Sequence, residues 1–268
     1  MIINQAKVSK ALWRFEKRFL NKYNLSSYYS RRKPAIFFGC CREEDVENIK
    51  RHNNLKIIIW AGSDAMRMAS GKFKFYRDII RNKEIKHIVI SHYIEEDLRR
   101  VGLKGFRIPI SPSNFTKFEV VPCGNNIYIY AGSKQKLKLY GMDIAHKVMN
   151  KVKDINFIVC YSKGKYSYSY NEMPNIYNKC FMGLRLTRHD GLPNTVIEMG
   201  LMGRKCIWNG ELPNSISWKN EKDIVENIYQ LKDDIGKTNK DVSNKMKSYL
   251  KIGNTWLDTS FYEKSKKD

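Results

Sequence analysis

The sequence predicts an α/β protein made of two successive parallel-sheet units. Short β-branched and aromatic runs, bounded by Gly or Ser, alternate with segments of helical period. The alternation halts across residues 109–124, which hold three prolines and two serines, and then restarts. At 268 residues and 42% hydrophobic, the chain has enough apolar material for two cores.

Residues 6–23 read as a basic helix, with Ala11, Leu12, Phe15, Phe19 and Leu20 at helical spacing between lysines and arginines. The run 35–39 is a strand ending at Gly39, 44–51 a helix, and 55–60 a strand followed by the loop 61–64. A helix is expected over 73–82, a strand over 87–91, a helix over 94–101 closed by Gly102, and a strand over 106–110. After the linker come a strand at 126–132, a helix at 142–152 and strands at 155–160 and 182–187. A helix at 194–202 stops at Gly203, a last strand occupies 205–208, and the helix 221–231 has Asn220 as its cap. The expected division is a basic N-terminal helix in 1–34, a Rossmann-like acceptor domain in 35–112, a linker in 113–124, a Rossmann-like donor domain in 125–236 and a helical tail in 237–268. Two such units are expected to face a cleft, with ligands at the carboxyl ends of the strands.

The formal charge of +22 is spread along the chain and favours anionic partners: nucleic acid, anionic lipid or phosphorylated glycans. A lysine-rich solvated surface explains the same charge. The six cysteines form no C-x-x-C pair, and Cys160 and Cys206 fall in apolar runs, which points to free thiols in a reducing, cytoplasmic setting. The first residues show no leader pattern and no stretch is apolar enough to span a bilayer, although the basic helix allows peripheral contact with an anionic membrane surface.

The chemistry concentrates in residues 183–203. There a strand enters the loop Arg188-His189-Asp190-Gly191-Leu192-Pro193-Asn194 and the loop opens a helix carrying Glu198. Asp190 and Glu198 stand eight residues apart, and Pro193 suits the first turn. The free amides of that turn suit an anion, and a carboxylate one turn into the helix can accept two sugar hydroxyls. Upstream, the strand 126–132 runs into Gly132-Ser133-Lys134-Gln135-Lys136-Leu137-Lys138, a loop rich in ammonium groups.

These two segments resemble the donor site of retaining GT-B glycosyltransferases of the broad family-four class. Those enzymes carry two acids eight residues apart around Gly-x-Pro, followed by a closing Gly, and Asp190, Gly191, Pro193, Glu198 and Gly203 match. The first acid is Asp rather than Glu, one methylene shorter. The lysine loop resembles their basic phosphate loop without its Arg. The resemblance is strong over 127–231 and weak over 35–109.

The resemblance implies a nucleotide-diphosphate sugar as donor and retention at the anomeric carbon. Glu198 would hold the ribose. Asp190, with His189, Gly191, Leu192, Pro193, Asn194 and Thr195, would hold the donor sugar. Lys134 and Lys138, with Gly132, Ser133, Lys136 and Arg185, would hold the diphosphate. No protein nucleophile and no cofactor is expected, and without a D-x-D motif no metal is required. The acceptor would sit on the first domain, near Gly39, Cys40, Trp60, Asp64 and His92. Trp60 and Asp64 read equally as a core residue and a turn residue. A cell-envelope or capsule-type glycan or glycolipid is the leading acceptor. Modified bases of DNA are an alternative, and a non-catalytic nucleic-acid-binding α/β protein is another.

Overall fold

A computed structural model describes residues 1–263, so the last five residues of the expected tail lie outside the described residues. The chain divides into two compact units. Among the described residues the first comprises Met1–Asn114, the tripeptide Asp190–Leu192 and residues 252–263, and the second holds the remainder.

Unit 1 contains β1 (Gln5–Val8), α1 (Trp13–Tyr23), β2 (Ser26–Ser27), β3 (Ala35–Phe38), α2 (Glu43–Lys50), β4 (Lys56–Trp60), α3 (Ser63–Ala69), α4 (Arg77–Arg81), β5 (Lys86–Val89), α5 (His92–Arg100) and β6 (Phe106–Arg107). Its six strands are all parallel, in the order β2-β1-β3-β4-β5-β6. The α-helix expected over 6–23 therefore begins only at Trp13, after a 3-10 turn at Lys10–Leu12, and Gln5–Val8 is a strand inside the sheet. Ala6 and Val8 are buried on either side of half-buried Lys7, and the decisive partner of this strand is β3, far away in sequence. The Gln5 side chain fixes the strand: its oxygen accepts from the amides of Tyr29 and Ser30, and its nitrogen donates to the carbonyls of Ser30 and Lys33. In α1, Phe19 and Tyr23 face the core and Asn24 closes the helix in the left-handed region at φ 53°. The strand expected over 106–110 is shorter, and the helix expected over 73–82 starts at Arg77 after a single 3-10 turn.

Unit 2 contains β7 (Asn126–Gly132), α6 (Met142–Lys151), β8 (Phe157–Tyr161), α7 (Met173–Asn178), β9 (Cys180–Leu184), α8 (Asn194–Leu201), β10 (Lys205–Ile207), β11 (Ser215–Ile216), α9 (Glu221–Leu231) and α10 (Lys240–Leu250). Its five strands are parallel in the order β11-β10-β9-β7-β8. The strand at 205–207 is thus not the last, because the two-residue β11 follows it. β9 ends at Leu184, which leaves Arg185 to Thr187 just beyond the sheet. Asn220 caps α9 as expected, its side chain accepting from the amides of Lys222 and Asp223. Gly183 lets α8 lie close on β9: a Cβ there would strike the sulfurs of Met199 and Cys206. The expected 237–268 tail is divided, with α10 packing on α8 in unit 2 and the residues from Ile252 belonging to unit 1.

In both units the first crossover goes to one side of the first strand and the next returns to the other. The order reverses between β1 and β3 in unit 1 and between β7 and β9 in unit 2. At such a reversal the flanking loops diverge and leave a crevice at the carboxyl ends of the strands. All six cysteines are free and buried, and no helix among the described residues is long and apolar enough to cross a membrane.

Candidate functional site

The reversal in unit 2 falls between the strands that carry the chemistry-bearing residues. β7 ends at Gly132, whose φ of +70° turns the chain sharply, and a Cβ there would run into the Tyr140 ring. Ser133 and Lys134 follow directly. β9 ends one residue before Arg185, which is only 8% exposed. Its guanidinium lies 5.4 Å from the Tyr130 ring and 4.7 Å from the Tyr140 ring, and those rings meet edge-on at 5.2 Å. Stacking of this kind holds the planar cation at the strand end. Gly141, at φ +68°, is the N-cap of α6, and a Cβ on it would collide with the Leu186 carbonyl. The start of α6 and the residues after β9 therefore meet at the same crevice.

Lys134 lines a cavity of about 240 Å³ with Gly132, Ser133, Tyr161, Lys163, Gly164, Lys165 and Tyr166. Lys136 and Lys138 are exposed on the turn that follows and do not line it. The turn after β8 escaped the sequence reading, although Lys163-Gly164-Lys165 just past a strand end is the same signal as the Gly132 loop.

α8 begins at Asn194 with Pro193 at the capping position, no side-chain cap and no acid in its first turn. Its positive end is left uncompensated by the helix's own residues. Glu198 is 4% exposed, and the Tyr177 hydroxyl donates to its Oε2 at 2.7 Å. Tyr177 is held edge-on against Tyr128 at 4.9 Å. Burial first, and then the Glu198 charge, push the Tyr177 hydroxyl well above its ordinary range, so it stays a donor. One oxygen of Glu198 is thus already an acceptor within the fold, where the sequence reading gives the carboxylate two sugar hydroxyls to accept from. A buried carboxylate needs a protein donor, and Tyr177 on α7 supplies it.

Asp190, Gly191 and Leu192 cluster with unit 1. The Ser91 hydroxyl donates to the Asp190 carbonyl at 3.1 Å, Asp190 Oδ1 accepts from the Gly191 amide at 2.9 Å, and a Cβ on Gly191 would stand 2.9 Å from the Ala61 carbonyl. Leu192 packs on the unit 1 core. Tyr93 has its hydroxyl raised, by burial first and then by the Asp190 charge. His189 is half-buried and Thr195 likewise.

The acceptor residues expected in unit 1 are mostly structural. Trp60 is fully buried and donates from Nε1 to His87 Nδ1 at 3.2 Å, so it offers no face for stacking. Asp64 is also fully buried and accepts from the amides of Cys40, Ala61, Gly62 and Ala65. Those four donors make it the organiser of two strand-end loops rather than a base for an acceptor hydroxyl. Cys40 is fully buried, with burial pushing its thiol far up, and Gly39 is covered by Leu12 and Ser9. Of the five, only His92 keeps partial exposure.

The Trp60–His87 pair makes stability pH-dependent. Burial lowers the His87 pKa from 6.5 to about 4, so the folded chain holds a neutral imidazole. The unfolded chain takes up that proton first on acidification. The contribution is therefore complete above pH 6.5 and declines as pH falls towards 4, by about 3 kcal/mol at the lower end. His87→Asn, neutral at every pH with an oxygen in place of Nδ1, is expected to lose stability less steeply across this window in denaturant titrations. Equal slopes for the two proteins would exclude the histidine as the cause.

No protein-family model matches the chain, and no curated protein matches it in sequence. Solved structures do. Sucrose-phosphate synthase from Thermosynechococcus elongatus superposes with a TM-score of 0.61 at 10% identity, over 94% of this chain and 76% of that one. TarM superposes at 0.54 and 15% identity, over 85% of this chain and 54% of TarM. A TarM variant from S. aureus, solved with fondaparinux, alpha-GlcNAc-glycerol and UDP, gives 0.54 and 16% with the same coverage. The chain thus spans about half the length of TarM. At these identities the likeness is one of fold, and the fold is GT-B: two Rossmann-like parallel-sheet units.

Proposed function

We propose that this GT-B chain is a retaining glycosyltransferase that moves a sugar from a nucleotide-diphosphate sugar to an acceptor hydroxyl, with the donor bound mainly by unit 2. The observation that carries the reading is the strand-order reversal between β7 and β9, which has Lys134 at one strand end and Arg185 at the other. Crevices of this type take phosphate-bearing ligands, and Asp190-Gly191-Leu192-Pro193 with Glu198 is the sugar-binding pattern of the resembling enzymes. The TarM variant solved with UDP and alpha-GlcNAc-glycerol supports a nucleoside-diphosphate donor and an α-linked product.

In the proposed reaction the bond from the anomeric carbon to the leaving phosphate oxygen breaks. The acceptor oxygen attacks from the same face and its proton passes to that phosphate oxygen. Lys134, Lys138 and Arg185 offset the charge that develops on the diphosphate, so the reaction needs no metal. Glu198, with one oxygen held by Tyr177, positions the ribose, and Asp190 holds the transferred sugar. A glycan or glycolipid of the cell envelope or capsule is the proposed acceptor. The +22 charge favours an acceptor that carries phosphates, and modified DNA is the second reading on the same ground.

A thermal-shift panel of nucleoside diphosphates and their sugars tests the donor. A ligand at 100 times its Kd is expected to add about 2.7 kcal/mol to stability. A flat response across the whole panel would sink the proposal. Duplex DNA binding with steep salt dependence, without turnover of any nucleotide sugar, would favour a nucleic-acid-binding protein instead.

A further inference from the structure

The turn that follows β8 has no role in the site as read from the sequence. It closes on itself through the Tyr161 amide donating to the Tyr166 carbonyl at 2.9 Å, and it is tied to β7 by the Ser162 amide donating to the Gly132 carbonyl at 2.9 Å. The β7–β8 ladder shifts register between Tyr130 and Gly132, where the pairing reaches Tyr161. Such a bulge re-aims the residues beyond it. The result is the cavity of about 240 Å³ in which Lys163 and Lys165 join Lys134. None of the lining residues is acidic, and none of the three lysines has an ion-pair partner among the described residues. The volume is below the roughly 300–1,000 Å³ of sites that enclose a whole ligand, so the cavity takes part of one. Three ammonium groups without a counter-ion select the anionic part, and they span more charge than a single phosphate brings.

We propose that Lys163 and Lys165, with Lys134, form a diphosphate-selective subsite, and that they make the protein prefer diphosphates over monophosphates. This rests on the donor reading above and adds to it two positioning residues and a specificity. The two lysines lie on a turn outside the Gly132 loop and outside the Asp190–Glu198 segment, so the subsite draws on a third stretch of chain.

Competitive calorimetry with inorganic pyrophosphate and inorganic phosphate tests the subsite, using the full chain and the double variant Lys163→Gln/Lys165→Gln. Both side chains are exposed, so the variant is expected to fold with an unchanged melting temperature. Wild-type protein is expected to bind pyrophosphate more tightly than phosphate, and the variant to lose about tenfold of that preference. Lys222→Gln, an exposed lysine of α9, is the control expected to change nothing. Pyrophosphate affinity retained in the double variant would overturn the subsite, and the donor reading would stand if nucleoside diphosphates still raised the melting temperature. Wild-type protein that bound neither pyrophosphate nor any nucleoside diphosphate would overturn both.

Discussion

Lys134→Ala is expected to lower kcat for sugar transfer by roughly 100-fold or more while leaving the unfolding transition in place. The two halves have separate physical grounds. Lys134 is exposed, sits on a loop after β7 and has no ion-pair partner among the described residues, so folding loses little when it is removed. In the proposed reaction the same ammonium meets negative charge that grows as the diphosphate departs, and removing one such preorganised donor typically costs about 10²–10³ in kcat. Steady-state kinetics with the donor found in the thermal-shift panel would check it. A rise in KM at unchanged kcat would mean that Lys134 holds the ground state only. Unchanged kcat and KM would remove it from the site.

Arg204→Ala is expected to have the opposite signature: a loss of about 2–5 kcal/mol from the stability of unit 2. Arg204 has no exposed surface and stands between α8 and β10. Its guanidinium donates to the Cys180 carbonyl at 3.3 Å, to Val121 at 3.0 Å, to Pro122 at 2.8 Å and also to Met202. It thereby ties the linker to the first residue of β9 and the end of α8. Truncation leaves buried carbonyls without donors as well as a cavity. Arg204→Lys should fail nearly as badly, because an ammonium on a flexible stem does not reproduce the fixed fork that reaches several carbonyls at once. Denaturant unfolding followed by a unit 2 probe would measure the loss, and an unfolding free energy within about 0.5 kcal/mol of wild type would refute the assignment.

The parts of the fold legible in the sequence are those that depend on neighbours along the chain. β7 runs from Asn126 to Gly132 as its continuous apolar pattern predicts, and α6, α8 and the Asn220 cap begin where the sequence places them. The position of Lys134 just past a strand end follows from the same local pattern, whereas Arg185, inside the strand expected over 182–187, lies past the end of β9. β1 is not legible locally, because Ala6 and Val8 fit a helix as well as an alternating strand, and only pairing with β3 decides between them. For Trp60 and Asp64 the sequence leaves a site role and a core or turn role both open, because only the donors and rings around a strand-end aromatic and a loop acid decide between them.

Spacing and local propensity specify the inventory: two parallel α/β units, the lysine loop, and two acids eight residues apart. Tertiary structure alone decided which strands are neighbours. That is what places a strand-order reversal between β7 and β9, hands Glu198 Oε2 to Tyr177 and brings Lys163 and Lys165 beside Lys134. Strand order and burial depend on contacts between residues distant along the chain, and no local pattern encodes them.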